Sequence, residues 1–155
     1  MKEKKPIINL ILLTKTWTER MPSLKEDIPI TFEKTAEILG KNFSQTEVSI
    51  VLSDDQEVQN LNKTFRHKDK LTNVLSFPSK EKGELGDIIL AYETVTREAD
   101  EKGISPVDHT LHLIIHGFLH LLGYDHEKES DAQRMEALEV QVLKILGISN
   151  PYEDQ

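Results

Sequence analysis

Residues 105–123 read SPVDHTLHLIIHGFLHLLG, and they predict the helix around which the fold is expected to form. Ser105 and Pro106 are typical of a helix start, and Gly123 is typical of the residue that follows a helix. Apolar side chains occupy most positions between them, so the pattern predicts a helix over 106–122 that is buried on almost all sides. Four of its polar residues are histidines that share one stripe: His109, His112, His116 and His120.

The histidines predict a metal site. An imidazole buried without a partner costs a few kcal/mol, so each of them needs a hydrogen bond or a metal ion. His116 and His120 are one helical turn apart, which brings both rings within reach of one ion. Gly123 lets the chain reverse, so that His126 can return as a third ligand. Three neutral imidazoles with an open fourth position for water are typical of catalytic zinc, so we predict one zinc ion per chain on these three histidines.

Position 117 distinguishes this pattern from that of a protease. The spacing HxxxHxxGxxH is also that of the metzincin proteases, whose helix reads HExxH and whose glutamate is the general base. Here the position is Gly117, which has no side chain to accept a proton. The sequence therefore predicts a zincin-like metal helix without peptidase activity.

Length and composition limit the other possibilities. The chain has 155 residues and no cysteine, so a metal must take nitrogen or oxygen ligands. The length predicts one domain over residues 1–155. The apolar run Ile7–Leu13 is too short for a membrane span and is not followed by a cleavage site, so we expect a cytoplasmic protein that does not enter a membrane.

Strands and helices alternate along the chain without a regular repeat. Strands are predicted over 6–13, 46–53, 70–78 and 86–93. Helices besides the central one are predicted from 29 or 30 to 39, over 53–66, 94–103 and 130–146. In the second of these, Ser53 is the expected N-cap and Gln56 the partner in a capping box. The mixture predicts an α+β fold, with a small, mostly mixed sheet packed with helices.

The net charge of −8 is unevenly distributed. Residues 1–80 carry a balance of +2 and residues 81–155 a balance of −10. Charges farther apart than about 8 Å are largely screened at physiological salt, so a local basic face could bind an anion despite the total charge. A solvated charged loop is the alternative. The cations concerned are Lys63, Arg66, Lys68, Lys70 and Lys80.

Three segments, in this order, resemble the YbeY family of bacterial endoribonucleases: LNKTFRHKDKLTNVLSFP (61–78), LGDIILA (85–91) and HGFLHLLGYDHE (116–127). MEALEV (135–140) and NPYED (150–154) are similar to the family as well. The resemblance implies a small α+β enzyme with zinc on His116, His120 and His126. It also implies single-strand-specific RNA cleavage in ribosomal RNA 3′-end maturation and ribosome quality control. The implied partners are single-stranded RNA, ribosomal RNA and ribosomal subunits, with no DNA specificity.

The family's functional arginine falls on Arg66, which we therefore expect to be catalytic. This chain departs from the family pattern beside it, with Phe65 for a tyrosine, His67 at a usually small position and Leu71 for a proline. A doubly charged cation and an arginine fork can together bind and polarise an anionic phosphodiester.

The remaining candidates are expected to surround these groups. We expect Lys68, Lys70 and Asn73 to bind substrate, and His112 and Asp87 to support the ligands or line the cleft. Asn73 and Asp87 could equally be ordinary turn or strand-end residues.

Two other functions fit the same metal pattern. One is a metal-dependent hydrolase of another substrate, such as a peptide or a nucleotide. The other is a non-catalytic ribosome assembly factor that zinc only stabilises, although a purely structural ion would normally have a fourth protein ligand.

Overall fold

The computed structural model describes residues 4–66, 72–125 and 127–153. Its strands form one mixed sheet in the order β1-β2-β4-β3, in which β3 is antiparallel to β4 and the other neighbours are parallel. The strands are β1 (Ile7–Leu12), β2 (Glu47–Ser53), β3 (Val74–Pro78) and β4 (Glu84–Ala91). The helices are α1 (Thr16–Arg20), α2 (Leu24–Leu39), α3 (Asp55–Arg66), α4 (Tyr92–Lys102), α5 (Pro106–Leu121) and α6 (Glu129–Ile145). The predicted α+β class is confirmed.

The central helix α5 is packed on most of its circumference, as predicted. Phe118 makes edge-to-face contact with Phe32 on α2, with ring centroids 4.7 Å apart. Ile115 and Leu119 pack against α6 through residues such as Met135. The Ser105 hydroxyl accepts hydrogen bonds from the first-turn N–H groups, which confirms the predicted cap. The remaining stripe of α5 carries the histidines.

At Gly117, α5 makes a close approach to the sheet. A Cβ at this position would lie 2.9 Å from both Ile88 Cγ2 and Ser76 Oγ, closer than real Cβ atoms come. The Ser76 hydroxyl also donates a hydrogen bond to the Gly117 carbonyl at 3.2 Å. The site of a metzincin's glutamate is therefore filled by the sheet, so the base is sterically excluded here as well as absent from the sequence.

Two helix starts differ from the sequence predictions. Helix α2 begins at Leu24, ahead of Pro29, because Leu24 and Ile28 are buried in the core and hold the first turn there. The proline inside the helix removes one N–H donor and its ring crowds the Lys25 carbonyl, so burial of the first turn must offset this cost. Ser53 is not the N-cap of α3, since it ends β2; instead, Asp54 Oδ1 accepts from the Glu57 N–H at 2.9 Å.

Helix α1 was not predicted at all. It is short, and a tertiary contact holds it: Trp17 is completely buried and its indole N–H donates to the Ser53 carbonyl at 2.8 Å. Of the helices described, none combines the length and the apolar character needed to cross a bilayer.

Candidate active site

A cleft of about 750 Å³ runs along the histidine stripe of α5 to β3 and the end of α3. It brings together residues that the sequence singled out separately. They are Arg66, Asn73, His112, His116 and His120.

His116 and His120 face each other across one turn of α5. Their Nε2 atoms are 3.1 Å apart, and the two rings are nearly perpendicular, at 83°. Two nitrogens bound to one zinc ion at about 2.0–2.1 Å each would lie roughly 3.3 Å apart in a tetrahedral site. The observed spacing fits a pair of nitrogens that share one ion.

Glu139, on α6, lies directly behind this pair and is completely buried. Its Oε2 accepts a hydrogen bond from His116 Nδ1 at 2.8 Å, and its Oε1 accepts from His112 Nε2 at 2.7 Å and from the Tyr152 hydroxyl. Burial alone would raise the pKa of Glu139, but these hydrogen bonds outweigh it and lower the pKa to about 2. Burial and the contact with Glu139 raise the pKa of Tyr152. At neutral pH, Glu139 is therefore an ionised group that only accepts.

An acceptor-only carboxylate determines which nitrogen of His116 carries the proton. Because Nδ1 must donate to Glu139, the neutral ring keeps its lone pair on Nε2, the atom that lies opposite His120. Histidines that bind metals usually have this arrangement, with a carboxylate on one nitrogen and the ion on the other. The chemistry of the donor set therefore fits zinc.

Arg66 is held at the opposite wall of the cleft by two contacts. Its Nη2 donates to the Ser76 carbonyl at 2.6 Å, and its Cζ lies 5.3 Å from the centre of the Phe77 ring. A guanidinium has five N–H donors, so one anchoring bond leaves capacity to bind a phosphate. The structure thus positions the predicted catalytic arginine in the same cleft as the histidines.

Asn73 belongs to a polar cluster at the α4–α5 junction. Glu98 Oε1 accepts from Asn73 Nδ2 and from His109 Nε2, both at 2.9 Å. Burial raises the pKa of Glu98, but the hydrogen bonds from His109 and Asn73 outweigh it, so the net shift is downward. Desolvation lowers the pKa of the buried His109. The cluster fixes the Asn73 amide beside the cleft.

Asp87 does not join the site. Ile88 faces α5, so its strand neighbour Asp87 points to the other side of the sheet, where it lines a separate cavity of about 300 Å³ with Glu47 and Ser49. The expectation that Asp87 supports the ligands is therefore not met by its position.

Three predicted site residues, His126, Lys68 and Lys70, lie outside the described residues. Within the part of the chain that the structure describes, no group of three potential metal-ligating side chains converges. His126 stays the predicted third ligand.

Sequence reasoning missed Glu139, Glu98 and Tyr152. For Glu139 a signal was present, since it follows Met135 by four residues and precedes Val142 by three on the buried face of α6. A glutamate on an apolar face needs a partner, and here the partners are the histidines.

Comparison with known proteins assigns the chain to a family of endoribonucleases. The family model described as "Endoribonuclease YbeY" matches residues 14–147, which is most of the chain. The chain belongs to this YbeY family of endoribonucleases.

Individual relatives with the same description are similar to most of this chain. The Endoribonuclease YbeY of Bradyrhizobium diazoefficiens is 44% identical over 161 aligned residues, covering 97% of this chain and 87% of the relative. That of Sphingopyxis alaskensis is 55% identical over 122 residues, covering 70% and 73%. The solution structure of TM1509 from Thermotoga maritima is similar with a TM-score of 0.57 at 27% identity, covering 96% of this chain and all of that one.

Proposed function

We propose that this endoribonuclease depends on one zinc ion per chain, held by His116, His120 and His126, and that it cleaves single-stranded RNA. The observation that carries the proposal is the pair of Nε2 atoms 3.1 Å apart, with Glu139 on the far nitrogen of His116. His112 supports the same carboxylate and is not itself a ligand in this proposal.

The side chains around the cleft have different roles in the cleavage of a phosphodiester. When bound, zinc supplies Lewis-acid charge for a phosphoryl oxygen. Arg66 binds the phosphate with its guanidinium and stabilises the negative charge that develops in the transition state. Glu139 holds the proton on His116 Nδ1. Asn73, with Lys68 and Lys70, binds the RNA chain.

We further propose ribosomal RNA as the substrate, in 3′-end maturation and in ribosome quality control, with ribosomal subunits as partners and no DNA specificity. Membership of the family supports this proposal. Such a substrate would place the protein in the bacterial cytoplasm.

Digestion of two substrates in parallel tests the proposed reaction. Purified protein is incubated with a single-stranded RNA and with unfolded casein, with and without a chelator. We expect only the RNA to be cut, the chelator to stop cleavage, and added zinc to restore it. His120→Ala protein purified in the same way controls for contaminating ribonuclease. Cleavage of casein with intact RNA, or RNA cleavage that survives chelation, would contradict the proposal.

A further inference from the structure

Phe65 is a large aromatic side chain that α3 leaves in solvent in its last turn. It is 64% exposed, whereas the helix buries Val58 against the sheet. Its ring is nevertheless held in place, because it contacts the Phe77 ring at a centroid distance of 5.8 Å and an angle of 68°. Phe65 is thus an exposed aromatic group with a defined position.

A short chain of contacts connects Phe65 to the cleft. The Phe77 ring that holds it also lies beneath the Arg66 guanidinium, at 5.3 Å. Arg66 in turn donates to the Ser76 carbonyl at 2.6 Å, and the Ser76 hydroxyl donates to the carbonyl of Gly117. An apolar ring surface therefore lies beside the arginine that lines the cleft, and Ser76 connects that arginine to α5 at Gly117, the neighbour of His116.

We propose that Phe65 is a base-stacking platform, on which one nucleobase of the RNA substrate stacks while Arg66 binds a neighbouring phosphate. This inference rests on the proposed cleavage of single-stranded RNA. Aromatic side chains bind single strands in this way with little sequence preference, because every base has a π face. The exposed Lys63 on the same helix adds positive charge that suits a phosphate backbone.

Stacking on Phe65 also gives a physical reason for a preference for single strands. Bases in a duplex are already stacked on each other and paired, so they cannot splay onto a protein ring without unpairing. A duplex could still contact Lys63 and Arg66 through its phosphates, but it would gain nothing from the ring. Single exposed apolar side chains are common on protein surfaces, so the test must separate an aromatic effect from a merely apolar one.

Steady-state cleavage of a single-stranded RNA by the zinc-loaded enzyme distinguishes an aromatic effect from an apolar one. Phe65→Ala is expected to raise KM between about 5-fold and 150-fold with little change in kcat, because a stacked base contributes equally to the bound substrate and the transition state. Phe65→Tyr should keep the wild-type KM, whereas Phe65→Leu should behave like Phe65→Ala. Inhibition by a blunt-ended RNA duplex should be the same for all four proteins.

Two controls make the result specific. Ile145→Ala removes another exposed apolar side chain, 49% exposed on α6, and should leave KM unchanged. RNA that carries 2-aminopurine should show stacking as a rapid fluorescence change on mixing with the wild type, and this change should be lost with Phe65→Ala. Zinc content should equal that of the wild type in every variant.

The outcomes distinguish this inference from the function on which it rests. Failure of the wild type to cut RNA, or cutting without zinc, would overturn the proposed function and the platform with it. Normal zinc-dependent cleavage with an unchanged KM in Phe65→Ala would overturn the platform alone. A wild-type KM in Phe65→Leu would also overturn it, since leucine has no π face.

Discussion

Glu139 can only accept hydrogen bonds, and this determines which nitrogen of His116 is available to a ligand. Its two oxygens accept from His116, from His112 and from Tyr152. These donors come from α5 and from the chain after α6, so a single buried carboxylate joins the end of the chain to the histidine stripe. The same residue therefore bears on stability and, in the proposed function, on the affinity for zinc.

Glu139→Gln should weaken zinc binding by about 10- to 100-fold, the usual effect of losing a hydrogen-bond partner behind a metal-binding histidine. The amide has one acceptor oxygen for three donors, so His116 Nδ1 no longer has an assured partner. Competition with a chromophoric chelator measures the affinity. The same change at Glu101, 66% exposed on α4, is the control and should have no effect. Wild-type affinity in Glu139→Gln would show that the carboxylate does not orient His116.

Arg66→Ala should lower the rate of RNA cleavage by on the order of a hundredfold or more, because it removes a positioned donor to the transition state. Zinc content should not change, and the melting temperature should fall only slightly, since Arg66 is exposed and loses its bond to the Ser76 carbonyl and its contact with Phe77. Arg66→Lys should rescue poorly, because lysine lacks the planar fork. Arg97→Ala, at an exposed arginine on α4, is the matched control. Cleavage by Arg66→Ala at the wild-type rate would remove Arg66 from the mechanism.

At the scale of elements, α5 acts as a wall between the apolar core and the cleft, and Gly117 sets its distance from the sheet. The close approach brings the helix carbonyl of Gly117 to Ser76, the residue whose own carbonyl holds Arg66. Both walls of the cleft are therefore connected through one buried serine, and helix position affects the arginine as well as the histidines.

Gly117→Ala should lower the free energy of unfolding by about 1 kcal/mol, the middle of a range of about 0–2 kcal/mol. Alanine improves helix propensity by about 1 kcal/mol, but its Cβ would overlap Ile88 and Ser76, and overpacking typically costs 1–3 kcal/mol. Chemical denaturation measures the difference. Ser130→Ala, at an exposed position of α6, changes helix propensity without introducing a clash, so it should not lower the free energy of unfolding. An equally stable or more stable Gly117→Ala protein would show that α5 is not packed tightly against the sheet at this position.

The α4–α5 junction should make stability fall on acidification. The pKa of His109 lies below its ordinary 6.5 and that of Glu98 below its ordinary 4.5, so the unfolded chain binds both protons first as pH falls. Stability is then lost from pH 6.5 downward, and further below 4.5. Denaturation of chelator-treated protein across this range measures the slope. The stability of Glu98→Gln should decline less steeply below pH 4.5 than that of the wild type. Identical slopes would contradict the assignment of this loss to Glu98.

The elements differ in how far the sequence could predict them. The strands and α5 follow from the period of their own apolar residues, and His116 and His120 follow from helical spacing alone. Helix α1 could not be predicted, because Trp17 is held by a carbonyl on β2. Glu139 left a signal, a glutamate on the buried face of α6, but its partners His112 and His116 could not be named because they belong to another helix. Asp87 was expected beside the ligands because the sequence does not show which residues of β4 face α5.

At the scale of the whole molecule, the cleft joins the two differently charged halves of the chain. Arg66 and Asn73 come from the first half, whereas the histidines, Glu139 and Tyr152 come from the acidic second half. Two exposed carboxylates of the second half, Asp125 and Glu127, line the cleft, whereas Glu139 is buried behind the histidines. An RNA phosphate in the cleft would meet Arg66 and Lys102 as well as these two carboxylates, so the total charge of −8 does not by itself describe its surroundings.

We propose that the histidine stripe and the turn after it hold one zinc ion, and elemental analysis of the purified protein measures this. We predict one zinc per chain in the wild type, none in His116→Ala or His126→Ala, and a full equivalent in His109→Ala, because His109 is bonded to Glu98. Because metal binding is linked to folding, the two zinc-free proteins should also melt at lower temperature. A stoichiometric zinc ion retained in His126→Ala would contradict the ligand set.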